Sequence, residues 1–251
     1  MTPAAYSPPR GFGAKIQRRM TQWHAARAAH LRFDTPILSI TFDDFPASAG
    51  ELGARILEDH GARGTYYACA GLADTDGPSG RNFARADLAR LTANGHEIGC
   101  HTFGHDDCAQ RPAFDTLQDL AKNRDALATM GAPFLETLAY PYGETTIELK
   151  RSLPPRFGCA RGVMPGVNHG RTDLSQLRAF AMFGAPFDGM RKSLKQAAKR
   201  KAWVIGFTHD VADEPSPWGT SAADLDALLR TARDLDFTIL PVSAALARRL
   251  A

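Results

Sequence analysis

The sequence predicts an α/β fold, a single-domain (β/α) barrel. Short apolar runs alternate with helical patterns along most of the 251 residues. That alternation argues for a mostly parallel sheet with crossover helices. About eight such runs fit the strand number of a (β/α) barrel, and the chemistry-bearing side chains follow them directly, where such barrels gather their catalytic groups. The length suits one large α/β domain with a substantial core.

Taken in order, residues 2–13 are rich in Pro and Gly and predict an irregular start. Residues 15–31 read as a helix, with Ile16, Met20, Trp23, Ala26 and Leu31 roughly on one face and Arg18, Arg19 and Arg27 on the other. Packing against the domain is the expected fate of such a helix, and a basic membrane-surface helix is the alternative. The apolar run 37–42, bounded by Pro36 and Asp43, predicts a strand. Further strands are expected at 65–70, 97–100, 137–140, 157–160, 177–183, 202–207 and 238–240. Helices are expected at 51–60, 84–93, 115–130, 188–199 and 222–236. Gly61, Asn94-Gly95 and Gly131 act as stops. Residues 1–30 thus form an N-terminal extension with a basic amphipathic helix, and 31–251 the main domain.

Hydrophobic residues make up 44% and charged residues 23%, ordinary for a soluble domain. The net charge of +3 is too small to suggest nucleic acid as a partner, and no basic block carries interleaved aromatics. Cys69, Cys100, Cys108 and Cys159 form no C-x-x-C pair, so free thiols in a reducing compartment are expected. No apolar run has signal-peptide or membrane-spanning length, which predicts a cytoplasmic location.

Four motifs follow predicted strands: Thr41-Phe42-Asp43-Asp44, His101-Thr102-Phe103-Gly104-His105, Ala139-Tyr140-Pro141-Tyr142-Gly143 and Phe207-Thr208-His209-Asp210. Adjacent carboxylates at a strand end point in different directions, so one can bind a metal while the other accepts a proton. Asp also favours turns, which is the plainer reading of Asp43 and Asp44 alone. Two histidines at i and i+4 share one face if 101–105 is a helical turn, and can then chelate one ion. Asp44, His101 and His105 make the three-ligand set of a catalytic zinc site, which leaves a position for water. The third motif alone is compatible with a Pro-Gly turn. His209 gains weight from lying at the same strand ends as the rest.

In their order, these four segments, with Gly95-His96-Glu97-Ile98-Gly99 ahead of the second, resemble the motifs of the polysaccharide deacetylases, carbohydrate esterase family 4. The resemblance spans about residues 37 to 242. It implies a distorted (β/α) barrel with about seven strands and a divalent metal, zinc being expected. By residue-level match it implies Asp43 as catalytic base, Asp44, His101 and His105 as metal ligands, and His209 as catalytic acid. The backbone N–H of Tyr142 would help hold the oxyanion. Many members carry Arg at the position of Ala139, where it steadies the base. Arg161, after the run 157–160, is the expected substitute. The Asp that orients the acid His is not clearly legible, with Asp173 the candidate.

The expected activity is therefore hydrolysis of the linear amide C–N bond of N-acetylated amino-sugar units, with Phe207 and Ile205 as candidates for an acetyl pocket. The substrate partner would be a polysaccharide or oligosaccharide, N-acetylglucosamine-containing and met during capsule, adhesin or exopolysaccharide synthesis. Peripheral membrane contact through the N-terminal helix fits that setting. A same-fold amidohydrolase acting on peptidoglycan or a small amide, and a non-catalytic sugar-binding module, are the alternatives. His96 and Glu97 are read as structural, and Trp218 either as a sugar platform or as a packed loop anchor.

Overall fold

The computed structural model describes residues 6–133 and 135–250. The irregular start expected for 2–13 lies partly outside them. Helix α1 (Phe12–Trp23) comes first, then strands β1 (Ala28–Leu31) and β2 (Ile37–Phe42). A π-type turn leads into α2 (Ala54–Asp59), followed by β3 (Thr65–Ala68), α3 (Arg85–Ala93) and β4 (Glu97–Cys100). Next come α4 (Ala113–Thr129), β5 (Thr137–Ala139), α5 (Ile147–Ser152) and β6 (Cys159–Arg161). The chain ends with β7 (Gly170–Asp173), β8 (Phe180–Ala181), α6 (Gly184–Lys199), β9 (Trp203–Thr208), α7 (Ala222–Asp234), β10 (Thr238–Ile239) and α8 (Val242–Ala247).

The main sheet is parallel and runs β8-β9-β2-β3-β4-β5-β6. Seven strands in one curled path match the distorted barrel that the sequence predicts. β2 and β9 form its longest ladder, paired from Ile37–Trp203 to Phe42–Thr208. Both are buried along their whole length, as strands covered on both faces must be. β3 joins β2 only at Thr41 and Phe42. β10 fills the place beside the start of β2, at Ile37 and Leu38. The seam between the outer strands is thin. Leu177 forms a single parallel bridge to Arg161, its N–H reaching Ala160 O at 2.8 Å and its carbonyl accepting from Gly162 N at 3.0 Å.

Two apolar clusters fill the molecule. The larger packs helices onto the outer face of the barrel and includes Phe42, Tyr66, Leu120 and Leu228. The smaller includes Trp203, Ile205, Phe207 and Leu246. The indole N–H of Trp203 donates to Ser39 Oγ at 2.9 Å, so its one polar atom is satisfied. All four cysteines are buried free thiols, as expected.

The N-terminal helix departs from its prediction. It starts earlier and stops at Trp23, and 28–31 pair antiparallel with β7 instead of continuing it. The backbone of His24 is extended, and the buried Lys150 ammonium donates to the carbonyls of Thr21 (2.7 Å) and His24 (2.6 Å). Side-chain capture of the terminal carbonyls and strand pairing override the helix propensity of the Ala-rich segment. Nor is its apolar face packed: only Thr21 of the helix is buried.

Candidate active site

Every strand-end motif lies at one mouth of the barrel. Asp43 and Asp44 follow β2, His101 follows β4, Tyr142 follows β5, Arg161 ends β6 and His209 follows β9. The loops between are tightly bent. Asp44, Phe45, Thr102, His105 and Tyr142 all take positive φ, between 56° and 66°. Such conformations are uncommon away from glycine and concentrate where a site over-determines its geometry.

Residues 101–105 are not a helical turn. The two histidines converge through the left-handed backbone of Thr102 and His105 instead. One ligand atom from each of Asp44, His101 and His105 lies within 4.8 Å of the others. The Nε2 atoms of His105 and His101 stand 3.0 and 3.6 Å from Asp44 Oδ1. That oxygen is buried, yet it has no hydrogen-bond partner among the described residues. His101 Nδ1 lies 2.8 Å from the Ala139 carbonyl. This contact puts the proton on Nδ1 and leaves the Nε2 lone pair facing Asp44. An orphaned carboxylate oxygen facing two imidazole nitrogens is the donor set of a divalent cation, and these residues fit one. Burial works to raise the Asp44 pKa, but the neighbouring imidazoles of His105, His101 and His209 outweigh it and hold the carboxyl well below its usual range. Burial pushes the His101 imidazole down to about 4, so it is neutral, as a ligand must be.

Asp43 is buried on the other side of the cluster. The Arg161 guanidinium, fully buried, pairs with its Oδ1. Arg161 also lies over the rings of Tyr67 (5.2 Å) and Phe207 (4.9 Å) and donates to Gly162 O at 3.0 Å. In the β5–β6 register Arg161 is the partner of Ala139. Register partners on neighbouring strands share a face of the sheet, so the cation comes from one strand over. Ile205, two residues deeper than Phe207, is fully buried.

His209 Nε2 lies 3.9 Å from Asp44 Oδ2. Its Nδ1 meets no Asp. It lies 3.2 Å from the Trp218 carbonyl. Asp173, the expected orienting residue, is committed elsewhere: it pairs with Lys150 at 2.8 Å and accepts from Arg27 N and Ser175 N, each at 3.0 Å. The loop presenting Trp218 O is tied by Asp210, which accepts from Ser216 N at 2.8 Å and Ser216 Oγ at 2.5 Å. Gly219 lies against that carboxylate so closely that a Cβ would meet it at 2.5 Å.

An aromatic row borders the cluster. The Tyr142 ring lies 4.7 Å from that of His105, and the half-exposed Tyr6 ring 4.9 Å from that of Tyr142. Tyr6 donates to Asp107 at 2.7 Å. Neither Tyr6 nor the Trp218 carbonyl is legible beforehand, because a residue in an irregular leader and a backbone acceptor carry no motif.

Residues 31–153, just under half of the chain, match the family described as polysaccharide deacetylase. Among curated protein sequences, none matches the chain. Its fold is that of the family 4 carbohydrate esterases. A deacetylase solved with substrate superimposes with a TM-score of 0.59 at 19% identity, over 85% of this chain and 92% of that one. An acetyl xylan esterase from Clostridium thermocellum, solved with a cobalt ion, gives 0.57 at 18%, over 84% and 90%. A family 4 carbohydrate esterase from Streptomyces lividans, in complex with acetate, gives 0.56 at 15%, over 88% and 99%.

Proposed function

We propose that the chain is a metal-dependent carbohydrate N-deacetylase, acting on N-acetylated amino-sugar units of a polysaccharide, with N-acetylglucosamine the unit expected. The observation that carries this reading is the orphaned Asp44 oxygen facing His101 and His105, flanked by the Asp43–Arg161 pair and by His209.

Asp44, His101 and His105 would hold the ion, zinc on this reading. A bound divalent ion polarises a carbonyl and brings the pKa of a water to about 7. Asp43 takes the proton of the attacking water on the oxygen that Arg161 leaves open, and Arg161 keeps that carboxylate aimed. The Tyr142 N–H donates to the developing oxyanion. His209 holds one proton on Nδ1 against the Trp218 carbonyl, so its exchangeable proton sits on Nε2, the nitrogen on the Asp44 side. From there it passes to the sugar nitrogen as the C–N bond breaks, releasing acetate and the free amine. The row Tyr142–Tyr6 suits a sugar ring next to the reacting one.

A capsule, adhesin or exopolysaccharide polymer, met in the cytoplasm before export, completes the reading, with peripheral membrane contact where that polymer is made. The test is acetate release from N-acetylglucosamine oligomers, with and without chelator. Chelator-sensitive release supports the proposal. No release from any N-acetylated oligosaccharide by metal-loaded protein, with oligomers still bound, would establish a sugar-binding module instead.

A further inference from the structure

We infer that α1 is seated on an anionic lipid surface. Its four large apolar side chains face away from the protein: Phe12 is 81%, Ile16 45%, Met20 57% and Trp23 76% exposed. At 3.6 residues per turn they fall within a quarter of the helix circumference. Thr21, buried, and Arg18, bonded to Glu144 at 2.6 Å, lie on the opposite side, which holds the helix to the barrel. Lys150 secures the C-terminal end through the Thr21 and His24 carbonyls. The helix is thus fixed to the protein with its apolar stripe outward, the reverse of a helix that packs on its own domain. A contiguous apolar stripe of this kind marks an interaction site.

Charge selects the occupant. The segment from Met1 to Phe33 contains Arg10, Lys15, Arg18, Arg19, Arg27 and Arg32 and no Asp or Glu. Lys15 and Arg19 border the apolar stripe, and Arg19 lies 5.5 Å from the Trp23 ring. Apolar side chains rimmed by cations match the boundary between acyl chains and anionic headgroups. A second copy of the same face would oppose cation to cation, which disfavours self-association. No helix among the described residues is long and apolar enough to cross a membrane, so the contact is peripheral. Glu144, the anchor of Arg18, follows the Tyr142 turn, so α1 is fastened beside the mouth of the site. A saccharide attached to a lipid carrier is the substrate form this placement favours, and that last step rests on the proposed deacetylase activity.

The test is flotation of the full chain with phosphatidylcholine–phosphatidylglycerol vesicles and with phosphatidylcholine alone, without sugar. Binding to the anionic vesicles is expected, about tenfold or more weaker for Phe12→Asp/Trp23→Asp and for Lys15→Glu/Arg19→Glu, with circular dichroism unchanged. Absence of binding to the anionic vesicles, or equal binding by the variants, overturns the inference. So does a solution dimer that Phe12→Asp/Trp23→Asp dissociates in a chain that ignores lipid. A chain that floats with vesicles but releases no acetate overturns the proposed function and leaves this inference standing.

Discussion

Arg161 at the end of β6 pairs with Asp43, just past the end of β2, and stands in register with Ala139 on β5. The cation beside Asp43 thus comes from the strand next to Ala139, which carries no charge of its own. Both charges are buried. Removing one partner of such a pair typically costs about 3–5 kcal/mol, because the other is left uncompensated. Arg161→Met is expected to lower stability by that order in denaturant unfolding and to reduce acetate release. Moving the cation back, in Ala139→Arg/Arg161→Ala, should recover part of the activity. No recovery in a folded double variant would show that the position of the cation, and not only its charge, matters.

Asp43→Asn should keep the metal and lose turnover. Its carboxylate is not among the grouped metal-ligating atoms, so metal content by elemental analysis is expected to equal that of the unaltered protein. Acetate release should fall about a hundredfold or more, the usual contribution of a positioned base. Near-normal turnover would remove Asp43 from the chemistry.

Zinc should raise the melting temperature of chelator-treated protein, since a ligand that binds only the folded state stabilises by mass action. His105→Ala deletes one of three ligands and is expected to abolish most of that shift. An unchanged shift would place the ion elsewhere.

Stability should decline as pH falls below 6.5. Burial lowers the His96 pKa from that value, against the opposing effect of Glu58. Its Nδ1 accepts from Gly64 N at 3.0 Å and its Nε2 lies 3.0 Å from Glu58, so a second proton would break the first bond. The folded state therefore binds that proton less readily than the unfolded one. The contribution is complete above pH 6.5 and shrinks down to the folded pKa. Melting temperatures measured across pH 5–8 check this, with His96→Asn expected to flatten the slope.

Tyr6→Ala should raise KM for oligomers about fivefold, the equivalent of a stacking contact worth about 1 kcal/mol, with kcat and the monomer KM little changed. Equal losses on monomer and oligomer would mean that Tyr6 only buttresses Tyr142.

Strands β2 and β4 read from the sequence to the residue because apolar runs closed by polar or turn residues are unambiguous there. α5, α8, β1 and β7 were hidden, being too short for a period to show. The end of α1 is not legible in the sequence, because its continuation favours helix locally and is claimed by β7 through pairing that only the tertiary fold supplies. At the site, side chains with chemistry of their own were legible at strand ends. The Ala139 and Trp218 carbonyls that set the imidazole tautomers were not, since any residue carries such an acceptor.

A short run of backbone hydrogen bonds, from Leu174–Ala160 to Ala179–Met164, closes the barrel beside the very residue that steadies Asp43. Local opening of a protein begins where backbone hydrogen bonds are fewest. Breathing at this seam would loosen the guanidinium while β2 and β9 stay zipped. Warmed protein would then fall silent before it melts, a reversible loss with its amide protons exchanging first along residues 159–162 and 177–181.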